Sequence, residues 1–123
     1  MSIKKILIVD DEIPIHNYLK KKFTKLGYEV SVADEGHSAL DRAFLFLPDI
    51  LLLDIKLPGL NGIEVCKILK SDEKTKHIPI IMLSAKAQTE EIEEGLKAGA
   101  DKYLCKPIGF PDILKEIRRF EDS

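Results

Sequence analysis

The chain has 123 residues, about one domain's worth, and 45% of them are apolar, enough for a packed core. Its net charge of −2 comes from acids and bases spread along the whole length, so no global field points to nucleic acid or to a membrane surface. No apolar run approaches the roughly 18 residues of a spanning helix, and Lys4 and Lys5 without a small-residue cleavage site argue against a signal peptide.

Strand and helix patterns alternate five times without a repeat, linker or low-complexity stretch. The first strand is expected over residues 4–9, where Ile6-Leu7-Ile8-Val9 lacks polar alternation and so fits a strand covered on both faces. A helix follows, with Ile15, Tyr18, Leu19, Phe23 and Leu26 at helical spacing and Gly27 as its stop. Residues 28–32 alternate apolar and polar, as an edge strand would. A short helix then turns Ala39, Leu40, Ala43, Phe44 and Leu47 inward before Pro48. The third strand, 49–53, is again fully apolar after its first residue, and its loop 55–61 carries Pro58, Gly59 and the Asn61-Gly62 turn signal. A third helix over 63–70 points Val65, Ile68 and Leu69 inward. The fourth strand, 78–83, tolerates Pro79 near its start. The fourth helix, 88–98, is rich in glutamate, with only Ile92 and Leu96 as apolar anchors. A short strand over Lys102–Cys105 and a last helix over 111–120 complete the pattern.

This (βα)5 alternation implies a doubly wound parallel sheet with right-handed crossovers. The first, third and fourth strands are the continuous apolar ones. The second and fifth are therefore edges, giving the order 2-1-3-4-5 with a switch point between the first and third strands. Ligand sites of open parallel sheets lie beyond the carboxyl ends at such a point. There the chain places Asp10 and Asp11 after the first strand and Asp54 after the third. Three converging carboxylates are costly unless a cation binds or one is modified, and a set of hard oxygen ligands favours Mg²⁺ or Mn²⁺ over zinc. Ser84 at the end of the fourth strand and Lys106 at the end of the fifth reach the same rim. A nucleophilic carboxylate, a metal, a cation and a hydroxyl are the parts needed to form and hold an aspartyl phosphate.

On these residues, the acid pair in IVDDE, the acceptor in LLLDIKLPGLNG, the serine in LSAK and the lysine-proline in CKP, the chain resembles the CheY-like receiver domain of bacterial response regulators. The resemblance covers residues 1–123 as a single receiver domain and implies a flavodoxin-like fold. It implies that Asp54 is the phosphoacceptor, taking the group from a phosphohistidine of a sensor histidine kinase or phosphotransfer protein. It implies Mg²⁺ ligation by Asp11, Asp54 and the backbone carbonyl of Lys56, with Asp10 acting largely through metal-bound water. Ser84 and Lys106 would contact the attached phosphoryl group, and Tyr103 matches the aromatic that turns inward when the serine moves. Lys106-Pro107 is expected as a cis peptide, a conformation essentially restricted to bonds preceding proline.

The function expected is thus a phosphoryl-accepting switch of two-component or phosphorelay signalling. It is cytoplasmic, is not a turnover enzyme, and is read by an output partner at the helix 4–strand 5–helix 5 face. A relay intermediate passing the group to another histidine is its close variant. The 123 residues contain no output domain, which leaves a stand-alone protein or a piece of a longer regulator. A Mg²⁺-dependent phosphohydrolase with an aspartyl nucleophile commonly needs a second acid two residues on, where Lys56 stands. A flavodoxin-like cofactor binder needs a phosphate-cradling loop, where Asp10-Asp11-Glu12 would repel phosphate. Lys56 and Lys86 depart from what is typical beside the phosphoryl group and are assigned to its lifetime. The blander features are Lys20-Lys21-Lys22 with Lys25 as a solvated helix face, His16, His37 and His77 as surface residues, and Cys66 and Cys105 as free thiols.

Overall fold

The computed structural model describes residues 2–85 and 88–122. Five strands and five helices alternate: β1 Lys5–Val9, α1 Ile13–Lys25, β2 Glu29–Ala33, α2 Gly36–Phe46, β3 Ile50–Asp54, α3 Gly62–Ser71, β4 Ile80–Ser84, α4 Thr89–Lys97, β5 Lys102–Cys105 and α5 Phe110–Glu121. All four strand pairings are parallel and the order is β2-β1-β3-β4-β5, as the apolar patterning implies.

The unbroken apolar strands are explained by two cores, one on each face of the sheet. Leu7, Val9, Leu51, Leu53, Ile80 and Met82 face Ala39, Ala43, Val65, Cys66 and Leu69 of α2 and α3. Their neighbours Ile6, Ile8, Ile50, Leu52, Ile81 and Leu83 face Leu19, Phe23, Ile113 and Ile117 of α1 and α5. Period-2 alternation thus assigns every residue of a central strand to one apolar layer or the other. The edges β2 and β5 are only partly buried.

Several boundaries differ from the sequence expectation for identifiable reasons. β3 and β4 each run one residue further, through Asp54 and Ser84, because Asp54 stays in register with Leu83 and Ser84 with Cys105. β4 also begins later. Ile78 closes a turn onto Thr75, and the first ladder amide, that of Ile80, donates to the carboxylate of Asp101. Asp49 lies outside β3, where its carboxylate accepts the amides of Lys4 and Lys5 at 2.8 and 2.9 Å.

Five residues expected to pack are exposed: Tyr18, Leu26, Leu47, Ile68 and Leu96. On α1 the buried stripe is His16, Leu19 and Phe23, and Tyr18 lies beside it. Leu26 and Leu47 terminate their helices, the latter in the left-handed conformation with φ 48°. On α3 the stripe takes Cys66 rather than Ile68. His16 is therefore corrected from a surface residue to a core one, 6% exposed, whereas His37 and His77 are exposed as expected. Cys66 and Cys105 are both free thiols, the first buried and the second exposed.

Candidate functional site

Parallel strands deliver their last side chains to one edge, and strand order reverses between β1 and β3, so a crevice opens over their ends. Asp10 follows β1, Asp54 ends β3, Ser84 ends β4, and Lys106 follows β5. Asp10 and Asp54 are buried, at 2% and 6% exposure, and Ser84 is buried as well; Asp11 and Glu12 face solvent.

The Lys106 ammonium ties the acids together. Its Nζ donates to Asp10 Oδ2 at 2.7 Å and to Asp54 Oδ2 at 3.4 Å, and stands 3.8 Å from Glu12 Oε1. Its backbone amide donates to Ser84 O at 2.8 Å, and Lys106-Pro107 is cis, as the resemblance implies. The other carboxylate oxygen of Asp10 accepts the Glu12 amide at 2.9 Å.

Burial pushes the Asp54 carboxyl above its ordinary range, and the Asp10 charge adds to this. The attraction of Lys106 and hydrogen bonds from Lys106 and the Lys56 amide oppose it without reversing it. For Lys106, burial disfavours the ammonium, but its hydrogen bonds and attraction to Asp10 and Asp54 win, and its affinity for the proton rises. Among the described residues, Lys106 is the ammonium in direct contact with the acids, and it compensates part of the charge that the four create.

The loop after β3 is held by two close approaches that only glycine permits. A Cβ on Gly62 would lie 2.2 Å from the Asp54 carbonyl oxygen, and one on Gly36 would lie 2.0 Å from that of Leu60. The Gly62 amide closes the loop onto Ile55 O at 2.8 Å, and Asn61 and Glu64 start α3 with reciprocal capping bonds. This loop sets Lys56 on the rim of a cavity of about 310 Å³, lined also by Asp11, Glu12, Asp54, Ser84, Ala85 and Lys106. Lys86 lies outside the described residues.

Tyr103 is half-buried. Its ring packs on the Leu7–Met82 face of the sheet and close over Gly95, and its hydroxyl pairs with Ser84. Burial raises its proton affinity, and the Ser84 bond partly offsets the rise.

One carboxylate oxygen each from Asp10, Asp11, Glu12 and Asp54 can be chosen so that all lie within 4.8 Å of one another. This all-oxygen, anionic set fits a hard divalent cation such as Mg²⁺. Glu12 was missed as a contributor by the sequence reading. Its signal was its place directly after the acid pair, at the turn into α1.

A parallel sheet of this order with an acid cluster at its switch point defines a class of phosphoacceptor signalling domains. The family model for the response regulator receiver domain matches residues 6–118, and the chain belongs to that family. The DNA-binding response regulator MtrA of Mycobacterium tuberculosis is 36% identical over 115 residues, covering 94% of this chain and 49% of MtrA. The chain thus spans about half the length of the MtrA proteins it matches. Among solved structures, the chemotaxis response regulator CheY4 of Vibrio cholerae is similar with a TM-score of 0.89 and 32% identity over 96% of this chain and 98% of that one. The receiver domain of the sensor histidine kinase PA1611 of Pseudomonas aeruginosa, which holds a magnesium ion in its active site cleft, has a TM-score of 0.89 and 29% identity, covering 99% of this chain and all of its own. The chain carries a receiver domain of two-component signalling. Among the described residues, no helix is long and apolar enough to cross a membrane.

Proposed function

We propose that Asp54 is the phosphoacceptor, taking the phosphoryl group from a phosphohistidine of a sensor histidine kinase or phosphotransfer protein in the cytoplasm. The observation that carries this reading is the environment of its carboxylate. It is buried, 3.4 Å from an ammonium, and part of an acid cluster at the sheet's switch point. Its oxygen attacks phosphorus, the new P–O bond forms as the P–N bond breaks, and the bonding pair stays on the donor imidazole.

Asp10, Asp11, Asp54 and the backbone carbonyl of Lys56 would hold the Mg²⁺ (or Mn²⁺), which when bound offsets the charge of the acids and of the incoming group. Lys106 exchanges part of its bonding from Asp10 and Asp54 to a phosphoryl oxygen. The Ser84 hydroxyl turns to another, and because Tyr103 pairs with Ser84, that turn is felt at β5. The changed surface is the α4–β5–α5 face, and an output partner reads it as a shift between two states. Lys56 and Lys86 set how readily water reaches the attached group. The chain acts as a switch rather than as a turnover enzyme.

The test is incubation with a small phosphodonor and Mg²⁺, read by intact mass. The wild type is expected to gain one phosphoryl group, and Asp54→Asn or a chelated sample to gain none. No adduct on the wild type, or an adduct that persists in Asp54→Asn, would overturn the assignment.

A further inference from the structure

His16 is the one histidine in the core, and it touches both ends of the acid loop. Its backbone amide donates to Glu12 O at 3.2 Å, and its ring Nδ1 lies 3.1 Å from the carbonyl oxygen of Asp10, six residues back. A carbonyl can only accept, so Nδ1 carries the hydrogen. The ring is 6% exposed and shares the buried stripe of α1 with Leu19 and Phe23. It is thus held from behind by the core while it grips the loop in front.

The grip falls on a particular peptide. Asp10 already has its amide on Ala33 O at 3.1 Å and its two carboxylate oxygens on the Glu12 amide and on Lys106. With the carbonyl also bound, every polar group of Asp10 has a partner, and the plane of the Asp10–Asp11 peptide is determined. Asp11 differs: it faces solvent, and its side chain has no hydrogen-bond partner among the described residues. The direction of its Cα–Cβ bond, from which its carboxylate swings, rests on the two flanking peptides, the preceding one held at the Asp10 carbonyl and the following one by the Glu12 amide on Asp10 Oδ1.

We propose that His16 is a positioning residue of the acid cluster, its Nδ1–H fixing the Asp10–Asp11 peptide so that the Asp11 carboxylate is held toward Asp54 and a divalent cation. The inference rests on the reading of that cluster as a Mg²⁺ site. His16 touches neither cation nor phosphoryl group; it acts through the loop, as hydrogen-bonded supports of metal ligands do elsewhere.

Calorimetric Mg²⁺ titration of the full chain, alongside metal-free thermal unfolding, separates this role from simple packing. Asparagine can place an N–H where Nδ1 stands, glutamine places its amide nearer Nε2, and leucine has no donor. His16→Asn is expected to keep the Mg²⁺ Kd within about twofold of wild type, while His16→Leu and His16→Gln weaken it about tenfold. The metal-free Tm values of the Asn and Gln variants should fall alike. By ¹⁵N NMR, His16 should be the Nδ1-protonated tautomer, and the Asp11 amide should shift in the Leu and Gln variants only. Should His16→Leu not fold, the Asn and Gln variants carry the same comparison. An unchanged Kd in His16→Gln, or an Nε2-protonated ring, overturns the positioning role alone. A wild-type chain that binds no Mg²⁺ overturns the reading of the cluster together with it.

Discussion

Two lysines bracket β4, one at each end, and they are used in opposite ways. At the amino end Lys70 reaches from α3 to Ile78 O at 2.7 Å, Lys76 O at 3.4 Å and Asp101 Oδ2 at 3.0 Å, and the same oxygen of Asp101 accepts the Ile80 amide at 2.8 Å. One cation meets one anion, and backbone groups take the remaining bonds. At the carboxyl end Lys106 faces Asp10, Asp54 and Glu12, with Asp11 in the same cluster. Among the described residues, one ammonium lies within 4 Å of three carboxylates, with a fourth beside them and Lys56 on the cavity rim. The first arrangement is closed and joins α3, β4 and the start of β5. The second carries a charge deficit that a cation can fill. The difference between a staple and a site lies here in charge balance, since donor type and distances are alike.

The comparison is most sharply broken by removing each lysine in turn. Lys106→Met leaves buried carboxylates without an ammonium and is expected to cost about 3 kcal/mol in chelator at neutral pH, with much of the loss restored by Mg²⁺. Lys70→Met should cost about 2 kcal/mol through the carbonyls and the aspartate it orphans, and Mg²⁺ should restore nothing beyond its effect on wild type. Urea unfolding with and without Mg²⁺ checks both. Equal recovery in the two variants would erase the distinction.

A smaller effect is expected from relieving the charge at the site itself. The Asp54 carboxyl is raised above its ordinary 3.8 in the folded chain, chiefly by burial, so folding favours its neutral form. Its contribution to stability is therefore present below that value and lost as pH rises through the folded value. Metal-free Asp54→Asn, neutral throughout, should exceed wild type by about 1 kcal/mol at pH 7. The gain should vanish near pH 3. A melting series in chelator across that range measures it, and a gain independent of pH would point to packing instead.

The smallest effect concerns the thiols. Burial pushes Cys66 up to about 11, with the charge of nearby Lys70 lowering it and that of Asp101 raising it, whereas Cys105 is exposed. A soft alkylating agent at pH 8 should modify Cys105 and spare Cys66 by peptide mass mapping. Alkylation of Cys66 in the wild type would show that the staple end of the sheet opens readily.

Much of this was legible in the chain because it depends on neighbours. Ile6–Val9 and Ile50–Leu53 lack polar alternation whatever surrounds them, and that alone requires cover on both faces. Parallel strands with covered faces must send Asp10, Asp54, Ser84 and Lys106 to a common edge, and they do. What was misjudged depended on which side of a helix met the sheet. Tyr18 and Ile68 have helical spacing but lie beside the buried stripes, and His16 lies within one. A polar ring can enter the core only because the Asp10 carbonyl is there to accept from it, a partner that spacing does not reveal.

By itself, then, the sequence determined the alternation of elements, the sheet order and the convergence of acids, since each follows from local pattern and the handedness of parallel crossovers. Tertiary structure alone decided which charges balance. That Lys70 closes a pair with Asp101 while Lys106 is shared between Asp54 and Asp10 follows from contacts spanning 31, 52 and 96 residues. Electrostatic energy depends on distances in space, and only the packed sheet sets those distances.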